Sequence, residues 1–358
     1  MKAARIYGVN DLRIEDISIP EPKADEVQVK VAYSGICGSD IHGYHKGWAL
    51  PTLPHPLTGQ TLPVVLGHEA AGEVVAVGAN AAAFTIGGRV AIEPLLYCGE
   101  CEACKKGYRN CCENSVGSDG SGNIIGFGAN GTFAEYVNVK ASDVYKMPAS
   151  LDYQLGALVE PTAVAVQAVQ KSGLEVGQTA AIFGAGPIGL LLAITSMAAG
   201  ATDLFIVDLS EERLQRAREI GVKYCLNPAK DDVTKFILEK TGNGVDIVYD
   251  AAGVQATLDT GISVVKKLGV IQIVAVFNDP PRVPLSDILM KGVDLYTTLC
   301  YANVYPGALR LLETHAEQFR TVITKIIPLD ELEKEGLQFL ETDKSEGKVL
   351  VQTSVEAM

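Results

Sequence analysis

Four cysteines within 15 residues place the strongest constraint on how this chain folds. They follow the spacing C-x2-C-x2-C-x7-C and are Cys98, Cys101, Cys104 and Cys112. Turns that gather four thiolates close a tetrahedral shell around one zinc ion, and a shell without an open position is structural. The alternatives are reactive or disulfide-bonded cysteines and an iron–sulfur cluster, whose sequence runs also begin C-x2-C-x2-C. The cluster fits less well because its fourth cysteine comes sooner and precedes proline, whereas Glu113 follows here. The adjacent Cys111 leaves the fourth ligand ambiguous.

The composition indicates an acidic enzyme-like protein. With 358 residues, the chain is long enough for two domains, each with its own core. Its formal net charge of −13 repels phosphate backbones and anionic membranes, so we expect neither nucleic acid nor a membrane as a partner. The N-terminal residues lack the apolar core of a signal peptide, and the longest apolar stretch, residues 188–199, is too short to span a bilayer. Thiols kept for metal favour a reducing cytoplasm as the location.

The sequence pattern changes near Leu155, which predicts two kinds of domain. Before it, short β-branched or alternating runs between glycines, as in residues 27–31, 72–77 and 88–92, predict strands. After it, apolar strands and amphipathic helices alternate up to about residue 300. That rhythm predicts a doubly wound parallel sheet with helices on both faces. The predicted fold class is therefore α/β.

A glycine-rich turn predicts a dinucleotide site. The segment Gly184-Ala185-Gly186-Pro187-Ile188-Gly189 has the pattern G-x-G-x-x-G, follows an apolar strand and opens an apolar helix. Glycines at these places allow a tight turn, a close approach of the backbone to a pyrophosphate, and packing of the helix on the strand. Asp208 ends the next strand, where a carboxylate binds the adenosine ribose and repels a 2′-phosphate, so we expect NAD rather than NADP. Arg213 either covers the adenine or is a solvated helix charge. The alternative to the whole site is a plain glycine turn beside an exposed aspartate.

A second group of metal-type side chains predicts a site with an open position. Its members stand beside glycine or proline turns and are Cys37, His68, Glu69 and Glu160. A thiolate, an imidazole and a carboxylate hold zinc and leave one position for a substrate. The residues alone leave open whether Glu69 or Glu160 is the third ligand. A packing role is the alternative for each side chain taken singly.

These motifs resemble those of the zinc-dependent medium-chain dehydrogenase/reductase family over the whole chain. The resemblance is carried by the Cys37 segment, by Gly67-His68-Glu69-x2-Gly72-x5-Gly78, by the cysteine cluster and by the glycine-rich turn. It implies a GroES-like, β-rich catalytic domain formed by residues 1–154 and 301–358, and a Rossmann domain formed by residues 155–300. It also implies a homodimer or homotetramer with two zinc ions per subunit, one catalytic and one structural.

Two features depart from the family pattern and bear on the substrate. Gly88 stands where the family commonly has aspartate, and Ser115–Asn130 is unusually rich in glycine and serine. The segment Ser115–Asn130 has no counterpart in the motifs above. A place at the border of the substrate cleft is one possibility for it.

The resemblance further implies hydride transfer between a secondary alcohol and nicotinamide. A zinc ion at Cys37 and His68 would act as a Lewis acid on the alcohol oxygen. Ser39 and His42 would pass the alcohol proton to solvent, and a plain surface position is the alternative for His42. We expect a small vicinal diol or hydroxyketone as substrate, with 2,3-butanediol and acetoin as the first choice. The alternatives are a polyol such as sorbitol, and threonine. Two further interpretations are an NAD-binding, zinc-stabilised regulatory protein and a zinc-free quinone reductase, which Cys37 and the cysteine cluster disfavour.

Overall fold

Short strands and helices alternate along the described chain, residues 1–354. In this computed structural model the strands are β1 (Lys2–Gly8), β2 (Asp11–Asp16), β3 (Glu26–Gly35), β4 (Val64–Val65), β5 (Glu69–Val77), β6 (Arg89–Ile92), β7 (Tyr136–Lys140), β8 (Val144–Lys146), β9 (Thr179–Phe183), β10 (Asp203–Val207), β11 (Tyr224–Leu226), β12 (Val245–Asp250), β13 (Val265–Ile273), β14 (Asp294–Thr297), β15 (Ile323–Pro328) and β16 (Lys348–Gln352). The helices are α1 (Gly38–Lys46), α2 (Glu102–Lys105), α3 (Tyr153–Ala157), α4 (Val159–Ser172), α5 (Pro187–Ala198), α6 (Glu211–Glu219), α7 (Val233–Thr241), α8 (Gln255–Val264), α9 (Leu285–Lys291), α10 (Tyr305–Thr314), α11 (Ala316–Arg320) and α12 (Phe339–Thr342). Short 3-10 turns cover Arg109–Cys111, Ala141–Asp143 and Leu329–Glu331, and a π-helical turn covers Leu332–Gln338.

The β-rich part takes strands from both ends of the chain. Its larger sheet has the order β15-β16-β3-β5-β6-β8, with β7 also paired to β3, and a smaller sheet has the order β2-β1-β4. Strand β16 pairs antiparallel with β3, so that Leu350 lies opposite Gly35. On its other edge β3 pairs with β5, and Gly35 lies opposite Glu69. The end of β3, the start of β5 and the middle of β16 therefore meet around Gly35.

The second sheet is parallel throughout, in the order β11-β10-β9-β12-β13-β14. Strand order reverses between β9 and β12. In open parallel sheets ligands bind outside the carboxyl ends of the strands at this reversal point. The turn after β9 begins at Gly184, and the residue after β10 is Asp208. The dinucleotide motif thus stands where the topology favours a ligand.

Helix α4 connects the two parts and packs on both. It contacts β5 on one side and α5 and β13 on the other. The α5 side chains Leu190, Leu191 and Leu192 are fully buried in the core that α4 shares. Burying one such leucine contributes about 2 kcal/mol. This shared core holds the metal-type side chains and the glycine-rich turn in one frame.

The predicted α/β class with a doubly wound parallel sheet is confirmed, and the differences are local. The apolar run at residues 270–276 leaves the sheet after Ile273, the last residue of β13, because the N–H groups of Val274 and Ala275 both donate to the carbonyl of Asp250, where β12 ends. The domain boundaries at 155 and 301 stay a prediction, and residues 355–358 of the third segment lie outside the described residues. Within residues 1–354 every helix is too short or too polar to cross a bilayer.

Candidate active site

Two turns at the ends of paired strands bring Cys37 and His68 together. Cys37 follows β3 and is the N-cap of α1. The buried Asp40 joins the two turns: its Oδ2 accepts the N–H of Cys37 at 2.9 Å, and its Oδ1 accepts the N–H of Gly67 at 3.3 Å. One carboxylate therefore sets the relative position of both turns.

Cys37, His68 and Glu69 present their ligand atoms to one point. The Cys37 sulfur, a ring nitrogen of His68 and a carboxylate oxygen of Glu69 all lie within 4.8 Å of one another. This sulfur, nitrogen and oxygen set suits zinc, and three protein ligands leave a position for a substrate. The buried Nδ1 of His68 has no hydrogen-bond partner but lies 3.6 Å from Asp40 Oδ1. A carboxylate in that place fixes the orientation of a ligating imidazole.

A buried lysine completes this cluster from the far end of the chain. Lys348 Nζ donates to both carboxylate oxygens of Glu69 at 2.7 Å and to the carbonyl of Ile36 at 3.0 Å. Burial opposes the lysine charge, but Glu69 together with Cys37 and Glu160 outweighs this effect and raises the pKa of Lys348. A Cβ atom at Gly35 would lie 2.1 Å from Glu69 Oε2, so only glycine leaves room for this pair.

Glu160 stands beside the cluster rather than in it. It lies near the start of α4, is 7% exposed, and is not among the atoms that lie within 4.8 Å of one another. Burial raises the pKa of Glu160 to about 7, although the neighbouring His68 charge opposes the rise. A carboxyl group with this pKa both donates and accepts hydrogen bonds near neutral pH.

Helix α1 carries the two residues expected to move a proton. Ser39 Oγ lies 3.5 Å from His68 Nε2, next to the ligand cluster. His42 lies one turn further along the helix and is half-buried. Burial and then the charge of Lys46 lower the pKa of His42 below 6.5, so its imidazole is neutral at pH 7.

The four-cysteine lobe, residues 98–112, gathers its sulfurs as predicted. The Sγ atoms of Cys98, Cys101, Cys104 and Cys112 lie within 4.8 Å of one another, and all eight cysteines are free thiols. Cys112 is buried and Cys111 is exposed, which favours Cys112 as the fourth ligand. The N–H groups of Glu100 and Cys101 point at the Cys98 sulfur and lower the pKa of Cys98 to about 6. Thiolates stabilised in this way suit a closed structural zinc site.

The glycine-rich turn has the geometry that its motif predicts. Gly184 has a left-handed φ of +99°, Gly186 is the N-cap of α5, and Pro187 and Ile188 form the first turn of that helix. A Cβ atom at Gly189 would lie 1.8 Å from the carbonyl oxygen of Gly184. The helix N-terminus therefore sits directly on the turn, where backbone N–H groups favour an anion.

The acidic residue after β10 supports this turn. Asp208 Oδ2 accepts the N–H of Ala185 at 2.7 Å, and Oδ1 accepts the N–H of Ser210 at 2.8 Å. Arg213 Nη1 lies 3.8 Å from Asp208 Oδ2. The structure thus brings Asp208 and Arg213 to the glycine-rich turn.

Comparison with known proteins identifies the family. Residues 23–149 match the alcohol dehydrogenase GroES-like domain, and residues 187–314 match the zinc-binding dehydrogenase domain. The (R,R)-butanediol dehydrogenase of Bacillus subtilis (strain 168) is 39% identical over 355 residues, which cover 98% of this chain and 99% of that protein. The chain belongs to the zinc-type alcohol dehydrogenases. A solved structure of 2R,3R-butanediol dehydrogenase from Bacillus subtilis has a TM-score of 0.91 and 38% identity over 99% of both chains.

Two other relatives of this dehydrogenase bear on substrate and cofactor. The sorbitol dehydrogenase of Bacillus subtilis (strain 168) is 33% identical over 95% of this chain and 94% of that protein. A protein from Sinorhizobium meliloti 1021, solved with NADP bound, has a TM-score of 0.88 and 32% identity over 98% of both chains. The predicted family and enzyme class are confirmed: this is an oxidoreductase acting on CH–OH groups. The non-catalytic and quinone reductase interpretations are set aside.

The glycine-rich segment Ser115–Asn130 packs against the His68 turn of this dehydrogenase. Phe127 is fully buried, with its ring 6.0 Å from that of His68. A Cβ atom at Gly126 would lie 2.8 Å from the carbonyl oxygen of Gly67. Close packing beside the ligand cluster therefore requires glycine at position 126.

Two buried side chains of the site escaped the sequence argument. Asp40 stands three residues after the N-cap of α1, which is the spacing of a capping box. This spacing is the only local indication that Asp40 joins the two turns. Lys348 begins an apolar strand, and nothing near it in sequence points to Glu69. His55 is also buried, and its Nε2 lies 2.9 Å from the carbonyl oxygen of Ser115.

Proposed function

We propose that this protein is an NAD-dependent zinc dehydrogenase that interconverts a small vicinal diol and its hydroxyketone, with 2,3-butanediol and acetoin as the first choice. The observation that carries the proposal is the cluster of the half-buried Cys37 with the buried His68 and Glu69, and Glu160 beside it. The cluster supplies ligands for one substrate oxygen, and Glu160 supplies a polar partner for a second oxygen on the adjacent carbon. The similarity to butanediol dehydrogenase supports the four-carbon substrate.

Each residue near the cluster has a distinct part in the proposal. Cys37, His68 and Glu69 would hold the catalytic zinc, since Glu160 lies outside the group of converging atoms. Lys348 holds Glu69 from behind through both carboxylate oxygens. Bound zinc supplies a Lewis acid for the alcohol oxygen, and NAD supplies the hydride acceptor.

The proton route runs along α1. Ser39 lies closest to the site and takes up the alcohol proton through its hydroxyl. His42 is neutral at pH 7 and would accept that proton nearer to solvent. In ketone reduction the same groups run in the opposite direction.

The preference for NAD rests on the charge of Asp208. Its side chain is 11% exposed and lies beside the glycine-rich turn, where a 2′-phosphate would meet a carboxylate. NADP is the competing candidate cofactor, because one relative was solved with NADP bound. The second zinc ion is proposed for the four-cysteine lobe, whose sulfurs converge.

We further propose a homodimer or homotetramer. Strand β14 is an edge strand, and apolar side chains near it are exposed: Leu285, Leu289, Met290, Leu295 and Leu299. Exposed edges and apolar patches of this kind mark contact surfaces. A cytoplasmic location stays a prediction from the thiols kept for metal.

The test is a zinc-supplemented activity screen over alcohols and ketones with NAD(H) and NADP(H). We expect kcat/KM for 2,3-butanediol or acetoin to exceed that for 2-butanol or 2-butanone about 100-fold, because a buried polar group goes unpaired when the second oxygen is missing. Equal efficiency with the monohydric compounds would contradict the diol assignment. A clear preference for sorbitol or threonine would replace it with the corresponding alternative, which the sorbitol relative keeps open.

A further inference from the structure

Residues 299–303 form a turn between β14 and α10 that has an unfavourable backbone. Cys300 has a φ of +48° and Asn303 a φ of +60°, both in the left-handed region. For Cys300 this conformation costs about 1–2 kcal/mol, whereas an asparagine such as Asn303 tolerates it better. Such a turn keeps its shape only where surrounding contacts hold it.

The four-cysteine lobe supplies contacts at both ends of this turn. Asn110 Nδ2 donates to the carbonyl of Leu299 at 2.7 Å, and Asn303 Nδ2 donates to the carbonyl of Gly107 at 3.2 Å. The Oδ1 atom of Asn110 is buried and has no hydrogen-bond partner, which costs free energy. The hydrogen bond that Asn110 Nδ2 donates must offset this cost. In the middle of the turn, the N–H of Ala302 donates to Gln167 of α4 at 3.0 Å.

The turn carries two side chains that face the candidate active site. Tyr301 is fully buried, its hydroxyl has no hydrogen-bond partner, and its ring packs 5.4 Å from that of Tyr305. Burial and then the nearby Glu160 carboxylate raise the pKa of Tyr301 well above its ordinary value. The same two causes raise the pKa of Cys300 to about 12. The 299–303 turn therefore lies beside Glu160.

We propose that Asn110 and Asn303 are positioning residues, through which the four-cysteine lobe fixes the 299–303 turn and so sets the place of Tyr301 beside Glu160. The lobe then serves the active site directly, in addition to stabilising its own fold. The part that concerns the substrate rests on the proposed function, but the mechanical link between lobe and turn does not.

The test replaces each amide by its isosteric acid, in Asn110→Asp, Asn303→Asp and the double variant. Aspartate keeps the shape and tolerates left-handed φ but has no N–H to donate. Lys106→Ala is the matched lobe control, because it removes only an exposed pair with Glu102. Hydrogen–deuterium exchange of a peptide spanning residues 296–305 is measured in the zinc-loaded protein, with zinc content and oligomeric state recorded.

We expect exchange at the amides of Tyr301 and Ala302 to rise about 5-fold for each lost bond, the factor that corresponds to about 1 kcal/mol. The KM for the best alcohol should rise by a similar factor, with a smaller change in kcat. Asn303→Gly, which accepts the left-handed φ without a donor, should also raise exchange if the hydrogen bond matters. Unchanged exchange in the double variant, or an equal rise in Lys106→Ala, would overturn the proposal. A wrong substrate assignment would appear in the wild type and leave the exchange result intact.

Discussion

Removing the buried lysine that faces Glu69 should be the most destabilising single change in the candidate active site. Lys348 Nζ lies 2.7 Å from both carboxylate oxygens, and the two side chains are 3% and 1% exposed. At an effective dielectric constant of about 20, charges at that separation attract by about 6 kcal/mol. Lys348→Met leaves the carboxylate buried without its partner, so we expect a loss of about 3–5 kcal/mol in the free energy of unfolding.

The measurement is urea denaturation of chelator-treated protein, because a metal ion at the site would also neutralise Glu69. A slope of about 3 kcal/mol/M turns the expected loss into a midpoint shift of about 1–1.7 M. Lys2→Met is the matched control, since Lys2 makes a 2.6 Å pair with Asp330 that is exposed, and its midpoint should barely move. The double variant Lys348→Met/Glu69→Gln should recover at least half of the loss. A loss below about 1 kcal/mol for Lys348→Met, or no recovery in the double variant, would refute this account of the pair.

Four further outcomes are expected. Asp208→Asn should weaken NADH binding and reduce discrimination against NADPH in fluorescence titrations, since it removes the carboxylate charge; a wild type that already prefers NADPH would show that this interpretation is wrong. Gly189→Ala should abolish measurable NADH binding while the protein stays folded by circular dichroism, because its Cβ atom would lie 1.8 Å from Gly184 O; normal affinity would contradict the packing argument. The pKa of His42 is lowered, so the alcohol oxidation rate should fall as pH drops through a value below 6.5, and His42→Ala or Ser39→Ala should remove that limb of the pH profile. Mild chelation should stop turnover before it lowers the thermal midpoint, because the open site releases metal before the closed lobe does; finding at most one zinc per chain after purification with zinc would count against this.

Most of the parallel sheet could be predicted from the sequence, because the apolar patterns that indicate its strands are local. The apolar runs visible in the sequence at residues 179–183 and 245–249 form β9 and β12 with nearly the same bounds. Strand β14 has four exposed residues and no alternation to detect, and β11 has only three residues. Both depend on pairing with strands that are distant in sequence, which a local pattern does not contain.

The sequence predicted those residues of the candidate site whose type alone indicates a function. It did not predict the residues whose role depends on tertiary packing. Cysteine, histidine and glutamate at turns indicate a metal, and the structure brings Cys37, His68 and Glu69 to one point. The role of Lys348 depends on a contact across 279 residues. The need for glycine at position 126 is explained only by the Gly67 turn, which lies against it in the folded chain.

Strand β16 leaves the ribosome after every other strand, yet its place is inside the larger sheet. The parallel sheet has all its strands once residue 297 has emerged, and domains generally fold as units during synthesis. Until residues 348–352 emerge, residues 33–35 of β3 lack a neighbour on the edge where β7 already pairs with residues 26–30, and Glu69 lacks its cationic partner. The nascent chain therefore carries an open strand edge beside a finished parallel sheet. Premature termination before Lys348 would leave a polypeptide with the complete parallel sheet, without the Lys348–Glu69 pair, and prone to pair its free edge with other chains.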